Sequence, residues 1–430
     1  MKRHFSAAVG LVLVLGTMAN AEDWTAFRGS DGTANGKGNP PVKWSATENI
    51  KWTCPLPGAG ASSPIVLGDR IYLTCYSGYG VPGGPDGAVS ELKRHLVCVD
   101  KNTGKVVWET PTAADSPEDA WAQMLREHGY ASHTPVTDGE RIYVFYGKTG
   151  VLAFDLNGKE LWRHNVGKES SPMRWGSAAS PILVGDLVVV NASDESLSLR
   201  GLNKVTGEEV WKAEGTNLES TYGAPAVAKL SDDRTDIVLS GRNEAWGINP
   251  ATGKLRWYGE FTRGGAASPT PIINGKTAYL FGGRGSSTIA LKLEGKGDIT
   301  GSNVLWKAQP GSYTATPVLV GDKLYWLNDQ RIAMCIDAET GKTVFQGRSS
   351  LDRNAGKLYA SPVAAGGRIY QPTSRGGTIV FAAKPEFEEL AVNRIDTDDT
   401  DFNGTPALSG DELFLRSNKA LYCIANPPAK

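Results

Sequence analysis

A step made of a small or polar residue, a proline and then an apolar run recurs eight times along the 430-residue chain. Six of the seven intervals between these prolines are 44–46 residues long, and the first interval is 71 residues long, which indicates an insertion. The prolines are Pro64, Pro135, Pro181, Pro225, Pro271, Pro317, Pro362 and Pro406. This period is typical of the four-stranded blade of a β-propeller. The repeat therefore predicts an all-β fold, an eight-bladed propeller of antiparallel blades.

Each repeat contains the signals of four short strands. The proline suits the first residue of an inner edge strand, because it cannot donate a hydrogen bond to a ladder. Gly68 and its equivalents open a two-residue hairpin turn that needs a positive φ. The third strand ends at Asp100 or its equivalent, and a Thr-Gly or Asn-Gly turn follows. The fourth strand carries an aromatic residue: Trp108, Trp162, Trp211, Trp257, Trp306 and Phe345.

The last repeat ends before its fourth strand. Residues 49–52, which lie ahead of the first repeat and end at Trp52, have the form of the missing strand. A strand from the N-terminal side that completes the last blade would remove two open sheet edges. We therefore predict one propeller domain over residues 44–430, an extension over 22–43, and insertions over about 78–94 and 115–128.

The second insertion predicts a short helix from Asp115 to His128. Ser116 and Pro117 suit its start, and Gly129 suits its end. Its apolar stripe predicts packing against the propeller; a lid or a docking element for a partner is the alternative. The stripe consists of Ala120, Trp121, Met124, Leu125 and His128.

Residues 1–21 have the pattern of a secretory signal peptide. Lys2 and Arg3 form a basic start, an apolar run follows, and the small residues Ala19 and Ala21 precede the predicted cleavage site. The apolar run is too short for a membrane span. The first cysteine after the site is Cys54, so no lipoprotein anchor is expected. The pattern predicts a periplasmic or extracellular protein.

The charge balance and the cysteines narrow the function classes. Lys and Arg number 45 and Asp and Glu number 46, which argues against binding of nucleic acid through its phosphates. Cys98, Cys335 and Cys423 occupy a repeat position that is small in other blades. We therefore predict that the cysteines are buried free thiols rather than disulfides.

The sequence from Asp100 to Trp108 resembles the tryptophan-docking repeat of the pyrroloquinoline-quinone (PQQ) propellers. This resemblance extends over about residues 44–425. This family includes quinoprotein alcohol dehydrogenases and the outer-membrane assembly lipoprotein BamB. The resemblance implies that the tryptophans dock between neighbouring blades and have no catalytic role. The docking residues are Trp52, Trp108, Trp162, Trp211, Trp257 and Trp306.

The dehydrogenase branch of this family implies PQQ, a pair of adjacent cysteines, a Ca²⁺ ion and an aspartate base. The chain has no Cys-Cys pair, and we predict no catalytic residue, no cofactor and no metal. The primary hypothesis is a monomeric binding scaffold for a protein partner in the cell envelope or outside the cell, without a transmembrane segment. A PQQ- and Ca²⁺-dependent oxidoreductase and a carbohydrate-binding propeller are the alternatives.

Residues that lead into the inner strands are candidates for a binding site at one mouth of the channel. Aromatic rings and an arginine around a concave mouth could stack on a sugar, a quinone or a peptide, or they could pack between blades. The acidic run 396–401 predicts a solvated turn rather than a Ca²⁺ loop. The mouth candidates are His133, Arg174, Trp175, Tyr222, Tyr313, Tyr359 and Asn403.

Overall fold

The structure, a computed structural model, describes residues 22–84, 87–115, 117–260, 266–282, 287–352, 354–375 and 377–427. The predicted signal peptide lies outside these residues. Eight sheets follow one another in chain order, each with four antiparallel strands, and two sheets gain one extra parallel strand. The predicted eight-bladed propeller is confirmed.

Blades 1 to 4 use consecutive segments of the chain from the inner to the outer strand. Blade 1 contains Ile65–Leu67, Arg70–Ser77, Lys93–Asp100 and Val106–Ala113. Blade 2 contains Val136–Thr137, Arg141–Phe145, Val151–Asp155 and Glu160–His164. Blade 3 contains Ile182–Val184, Leu187–Ala192, Ser198–Asn203 and Glu209–Glu214. Blade 4 contains Ala226–Lys229, Thr235–Ser240, Glu244–Ile248 and Leu255–Glu260, with Gly297–Asp298 added outside.

Blades 5 to 8 complete the ring. Blade 5 contains Ile272–Asn274, Thr277–Phe281, Thr288–Lys292 and Val304–Ala308. Blade 6 contains Val318–Val320, Lys323–Leu327, Ile332–Asp337 and Thr343–Arg348. Blade 7 contains Val363–Ala365, Arg368–Pro372, Thr378–Ala382 and Glu389–Asn393, with Asn35–Gly36 added inside. Blade 8 contains Ala407–Ser409, Glu412–Arg416, Ala420–Ile424 and, as its outer strand, Ile50–Pro55.

Helical structure among the described residues is limited to single turns, and none of these helices is long and apolar enough to cross a bilayer. The two α-helical turns are Leu125–His128 and Ser193–Ser196. The 3₁₀ turns are Val89–Glu91, Gly147–Thr149 and Thr216–Leu218.

The predicted helix over 115–128 is wrong except for its last turn, Leu125–His128, although Gly129 ends that turn with a φ of 67° as expected. The predicted cap residue Ser116 lies outside the described residues. A one-turn helix gains few hydrogen bonds against its nucleation cost. The upstream residues Glu118 and Asp119 instead form ion pairs with the propeller.

The ring closes as the sequence predicts. Ile50–Pro55 pairs antiparallel with Ala420–Ile424, and Trp52 lies opposite Cys423. The Trp52 indole N–H donates to the Lys101 carbonyl in blade 1 at 2.8 Å. The closing strand therefore completes blade 8 and also joins it to blade 1.

The docking tryptophans follow one rule in five of the six predicted cases. The indole N–H donates to a carbonyl just after the third strand of the next blade, and the ring covers the glycine of the turn that follows. A Cβ atom on Gly104 would lie 2.5 Å from the Trp52 ring, so this position needs glycine. The other four indole bonds join Trp108 to Leu156, Trp162 to Lys204, Trp211 to Pro250 and Trp306 to Ala338, at 2.7–3.1 Å.

A small residue on the third strand pairs with each of these aromatics. Trp108 lies opposite Cys98, and Trp211 lies opposite Gly201, where a Cβ atom would lie 2.3 Å from the indole. This crowding explains the small side chains at this repeat position. All five cysteines are buried free thiols, in agreement with the sequence prediction.

Trp257 is the exception. It packs with Leu291 and Ile299 of blade 5, but its indole donates to Asp236 of its own blade at 3.0 Å. Blade 5 has a longer connection between its third and fourth strands, and Gly297–Asp298 within it pairs with the outer strand of blade 4. The usual acceptor turn is therefore replaced by an added strand.

The extension over 22–43 runs through the channel along inner strands of the ring. Trp24 pairs with Val66 of blade 1, and Asn35–Gly36 pairs with the inner strand of blade 7. Between them, the buried Arg28 guanidinium donates to the Thr316 and Pro317 carbonyls at 2.9 and 2.7 Å. The extension therefore occupies part of the channel, where it contacts the inner strands of blades 1, 6 and 7.

Candidate functional site

The channel is lined at one end by a belt of hydroxyl groups. Seven of the eight residues that precede the repeat prolines are serine or threonine, and Ala224 is the eighth. The Ser63 amide donates to the Thr134 hydroxyl at 2.9 Å, and the Thr134 amide donates to the Ser180 hydroxyl at 3.0 Å. The corresponding bond from a backbone amide to a hydroxyl joins Thr270 to Thr316, Thr316 to Ser361 and Ser361 to Thr405, each at 2.9 Å. The polar residue of the repeat thus links successive blades around the axis.

Above this belt lies a cavity with an empty volume of about 970 Å³, part of which is open to solvent. We call it the mouth. It is lined by five of the seven candidates from the sequence: Trp175, Tyr222, Tyr313, Tyr359 and Asn403. The four aromatic residues are all half-buried.

The rings stand on two sides of the mouth because they precede different blades. Trp175 and Tyr222 precede blades 3 and 4 and are stacked, with centroids 5.6 Å apart and planes at 29°. Tyr313 and Tyr359 precede blades 6 and 7. Blade 5 lies between the two pairs in one direction round the ring, and blades 8, 1 and 2 lie between them in the other.

The third side of the mouth comes from the second insertion, whose Met124, Glu127 and His128 line the cavity. A ring nitrogen of His128, Nε2, lies 2.9 Å from the Trp175 carbonyl, which can only accept, so Nε2 is the donor. Burial lowers the pKa of His128, which keeps the imidazole neutral. The insertion therefore holds the Trp175 loop in place.

The insertion is fixed to the propeller rather than free to open. Arg94 pairs with Glu118 at 2.8 Å and Lys148 pairs with Asp119 at 3.0 Å, and all four side chains are buried. Leu125 and Trp121 of the predicted apolar stripe pack in a cluster with Tyr76 and Tyr130. These contacts confirm packing against the propeller and argue against a lid.

The floor of the mouth is formed by the extension. Phe27 lines the mouth and also a second cavity, which lies between the extension and the inner strands of blades 2 to 5. Phe27 therefore stands where the mouth and the second cavity meet.

Two sequence candidates do not line the mouth. Arg174 has a positive φ of 49° and an exposed side chain outside the cavity lining. His133 is buried to the side, where its Nε2 lies 3.0 Å from the Ser177 hydroxyl. Burial, with a contribution from Arg94, lowers the pKa of His133 to about 3, so it is neutral.

Sequence reasoning missed the group beside His133. Ser177 donates to the buried carboxyl group of Glu195, whose second oxygen has no hydrogen-bond partner. Burial, together with the nearby charge of Asp194, raises the pKa of Glu195 to about 8. Glu195 follows a strand in an unremarkable turn, so no motif in the sequence marks it.

Glu195 predicts a pH-dependent stability. Its folded-state pKa lies above the ordinary 4.5, so this carboxyl group costs stability as the pH rises from 4.5 to about 8. We expect Glu195→Gln to melt at a higher temperature than the parent at pH 8, and to lose this advantage at pH 4.5. Thermal melts across this pH range measure the difference.

The matched control is Glu140→Gln, because the Glu140 side chain is 77% exposed. Its melting temperature should equal that of the parent at every pH. If the difference in melting temperature between Glu195→Gln and the parent did not change with pH, the raised pKa of Glu195 would be contradicted.

The acidic run forms a hydrogen-bonded turn. Asp398 accepts hydrogen bonds from Thr400, Ser417 and Tyr422, and Asp401 pairs with Arg375. Asp398 is buried, whereas the sequence predicted a solvated turn throughout. Within the described ranges, no three His, Cys, Asp or Glu side chains are grouped to hold a metal ion.

Comparison with known proteins identifies the family. The family model described as "Outer membrane protein assembly factor BamB" matches residues 93–347, more than half of the chain. The chain belongs to this BamB-type PQQ-like repeat family.

This BamB-type propeller has one relative named as an assembly factor and one named as an enzyme. It is 23% identical to the outer membrane protein assembly factor BamB of Burkholderia pseudomallei, over 85% of this chain and 84% of the relative. It is 21% identical to a polyvinylalcohol dehydrogenase from Pseudomonas sp, over 57% of this chain and 42% of that enzyme.

Among solved structures, the BamB-type propeller is similar to a europium-containing methanol dehydrogenase. The TM-score is 0.61 at 13% identity, with 92% of this chain and 89% of the other covered. At this identity the likeness shows the shared propeller fold alone. The family and fold are thus compatible with either a binding scaffold or a quinoprotein-like enzyme.

Proposed function

We propose that this BamB-type propeller is a non-catalytic binding scaffold of the cell envelope, and that the mouth holds a protein partner. The observation that carries the proposal is the cavity with four half-buried aromatic rings. Half-buried tyrosine and tryptophan side chains are enriched where proteins bind one another, because they bring large contact area with little conformational entropy. Residues 1–21 have the pattern of a signal peptide, and the BamB relative is named for the outer membrane. Both support a location in the cell envelope.

The residues of the mouth do not suit the quinoprotein alternative. PQQ carries three carboxylate groups, which a protein holds with guanidinium or ammonium groups. No Lys or Arg occurs among the described residues that line the mouth, and its one carboxylate, Glu127, already pairs with Lys357. These residues do not fit PQQ with a Ca²⁺ ion. The lining of the mouth therefore supports the binding of a protein partner over quinone chemistry.

Site-specific photo-crosslinking tests the scaffold. A photoreactive residue in place of Tyr313, at the mouth, should give one dominant adduct with an envelope protein of the native organism. The same residue in place of Val205 is the control, since Val205 is 53% exposed in a turn at the opposite face. A Tyr222→Ala, Tyr359→Ala double variant with an unchanged melting temperature should reduce the adduct at least about tenfold.

Equal adducts from the two faces would contradict partner binding at the mouth. Dye reduction by purified protein given PQQ and Ca²⁺, abolished by a chelator, would overturn the non-catalytic role.

A further inference from the structure

We propose that the mouth recognises an organic cation, which the partner presents as a lysine or arginine side chain. The proposal rests on the scaffold function above and names the chemistry of its ligand. The groups that face the cavity, and the charge that each of them favours, support this ligand.

The side chains of the mouth favour positive charge. Four aromatic rings line it, and the face of an aromatic ring attracts a cation. The described lining residues include one carboxylate, Glu127, and neither Lys nor Arg. Its histidine, His128, is a neutral donor that is already bonded to the Trp175 carbonyl. A ligand cation would therefore meet no like charge among the described lining residues.

An unpaired acceptor points to a missing donor. The Asn403 side-chain nitrogen donates to the Glu127 backbone carbonyl at 2.7 Å, which fixes the orientation of the amide, since a carbonyl can only accept. The other end of the amide, Oδ1, has no hydrogen-bond partner although Asn403 is only 7% exposed. A buried acceptor without a partner is costly. A ligand with N–H groups would satisfy this oxygen.

The protein already places one ammonium group at the edge of the mouth. Lys357 Nζ lies 2.5 Å from Glu127 Oε1 and 5.7 Å from the centre of the Tyr359 ring. Lys357 does not line the cavity, and its side chain is 59% exposed. An exposed ion pair contributes little to stability. A cation from a partner can therefore replace Lys357 at Glu127 and Tyr359 at low cost.

The arrangement of the rings suits a side chain that enters along the channel axis. The stacked pair Trp175 and Tyr222 stands on one side and Tyr313 and Tyr359 stand on another. A planar guanidinium can stack on such rings and still donate from its edge to Asn403. The hydroxyl belt below accepts and donates hydrogen bonds without adding charge.

Paired ligands that differ only in charge test the proposal with the full-length protein. The first pair is a five-residue capped peptide, Gly-Gly-Arg-Gly-Gly, and the same peptide with citrulline in place of arginine. The second pair is choline and its uncharged isostere 3,3-dimethylbutan-1-ol. Calorimetry should show each cation binding at least about tenfold more tightly than its neutral match. Equal affinities within the pairs would overturn the proposal.

The two cations also separate the possible sources of the ligand. The proposal expects the arginine peptide to bind at least as tightly as choline, because the guanidinium can reach Asn403 and the choline headgroup has no N–H. Choline that binds more than about tenfold tighter than the peptide would instead assign the site to a free quaternary ammonium compound, and would overturn the side-chain proposal.

Three variants locate the binding. Tyr222→Leu removes one ring and should weaken the arginine peptide about tenfold, whereas Tyr222→Phe keeps the ring and should stay within about twofold of the parent. Lys357→Met removes the competing ammonium and should tighten binding about threefold. Equal effects of Leu and Phe at position 222, or weaker binding by Lys357→Met, would argue against a cation in the mouth.

The crosslinking experiment distinguishes the two proposals. A mouth adduct together with equal affinity for charged and neutral probes would remove the cation proposal and leave the scaffold. Absence of both the adduct and the charge preference would remove both.

Discussion

Replacing residues 44–56 with a Gly/Ser linker of equal length should destabilise the whole ring. The change removes the outer strand Ile50–Pro55 of blade 8 and the docking of Trp52 onto Lys101 and Gly104 of blade 1. The loss of a docked tryptophan alone costs about 3–5 kcal/mol. We expect the free energy of unfolding to fall by at least about 5 kcal/mol, measured by denaturant titration with tryptophan fluorescence.

A rescue variant shows whether ring closure is the cause. Residues 44–56 are added after Pro427 through a short linker, so that they can pair antiparallel with Ala420–Ile424 as a hairpin. This protein should recover most of the lost stability. A linker variant as stable as the parent, or a rescue that restores nothing, would contradict closure by this strand.

Asp236→Asn should give the second large loss. The Asp236 side chain is fully buried, and it receives hydrogen bonds from Arg234, Arg256 and the Trp257 indole. The uncharged asparagine side chain would leave the guanidinium groups of Arg234 and Arg256 without the carboxylate that they share. Removing one partner from such a buried network costs about 3 kcal/mol, which chemical denaturation at pH 7 can measure.

The same variant has a defined pH dependence. Burial acts to raise the pKa of Asp236, but the hydrogen bonds from Arg234, Arg256 and Trp257 outweigh it and hold the pKa below the ordinary 3.8. The stability from the carboxylate is therefore present at neutral pH and is lost as the pH falls below that value. The deficit of Asp236→Asn should be constant between pH 5 and 7 and should shrink towards pH 3.

Asp322→Asn is the control for this pair of measurements, because Asp322 pairs with Lys323 at the surface and its side chain is 78% exposed. It should unfold like the parent at neutral pH. If Asp236→Asn behaved like Asp322→Asn, the buried network would have no role in stability.

The architecture was predictable because it repeats. The eight prolines gave the number of blades, and the isolated Trp52 segment gave the closing strand. The small residues opposite the tryptophans predicted buried cysteines, and Gly201 opposite Trp211 shows the steric reason. Trp257 departs from the docking rule because the neighbouring repeat carries a different connection.

The positions of the candidate site residues were predictable only where they follow the repeat. Trp175, Tyr222, Tyr313, Tyr359 and Asn403 each stand just before an inner strand, so their common mouth followed from the fold. His133 occupies a similar position in the sequence but turns aside to Ser177. The direction of a side chain depends on neighbours that come from other blades.

The sequence by itself determined the number of blades, the closing strand and the docking tryptophans, because each depends on a spacing that recurs along the chain. The tertiary structure alone decided that Phe27 lies between the mouth and a second cavity, that Glu118 and Asp119 anchor the insertion, and that Glu195 is buried. These features depend on contacts between segments far apart in sequence, and the free energy of burying a charge or ring is set only when its neighbours arrive.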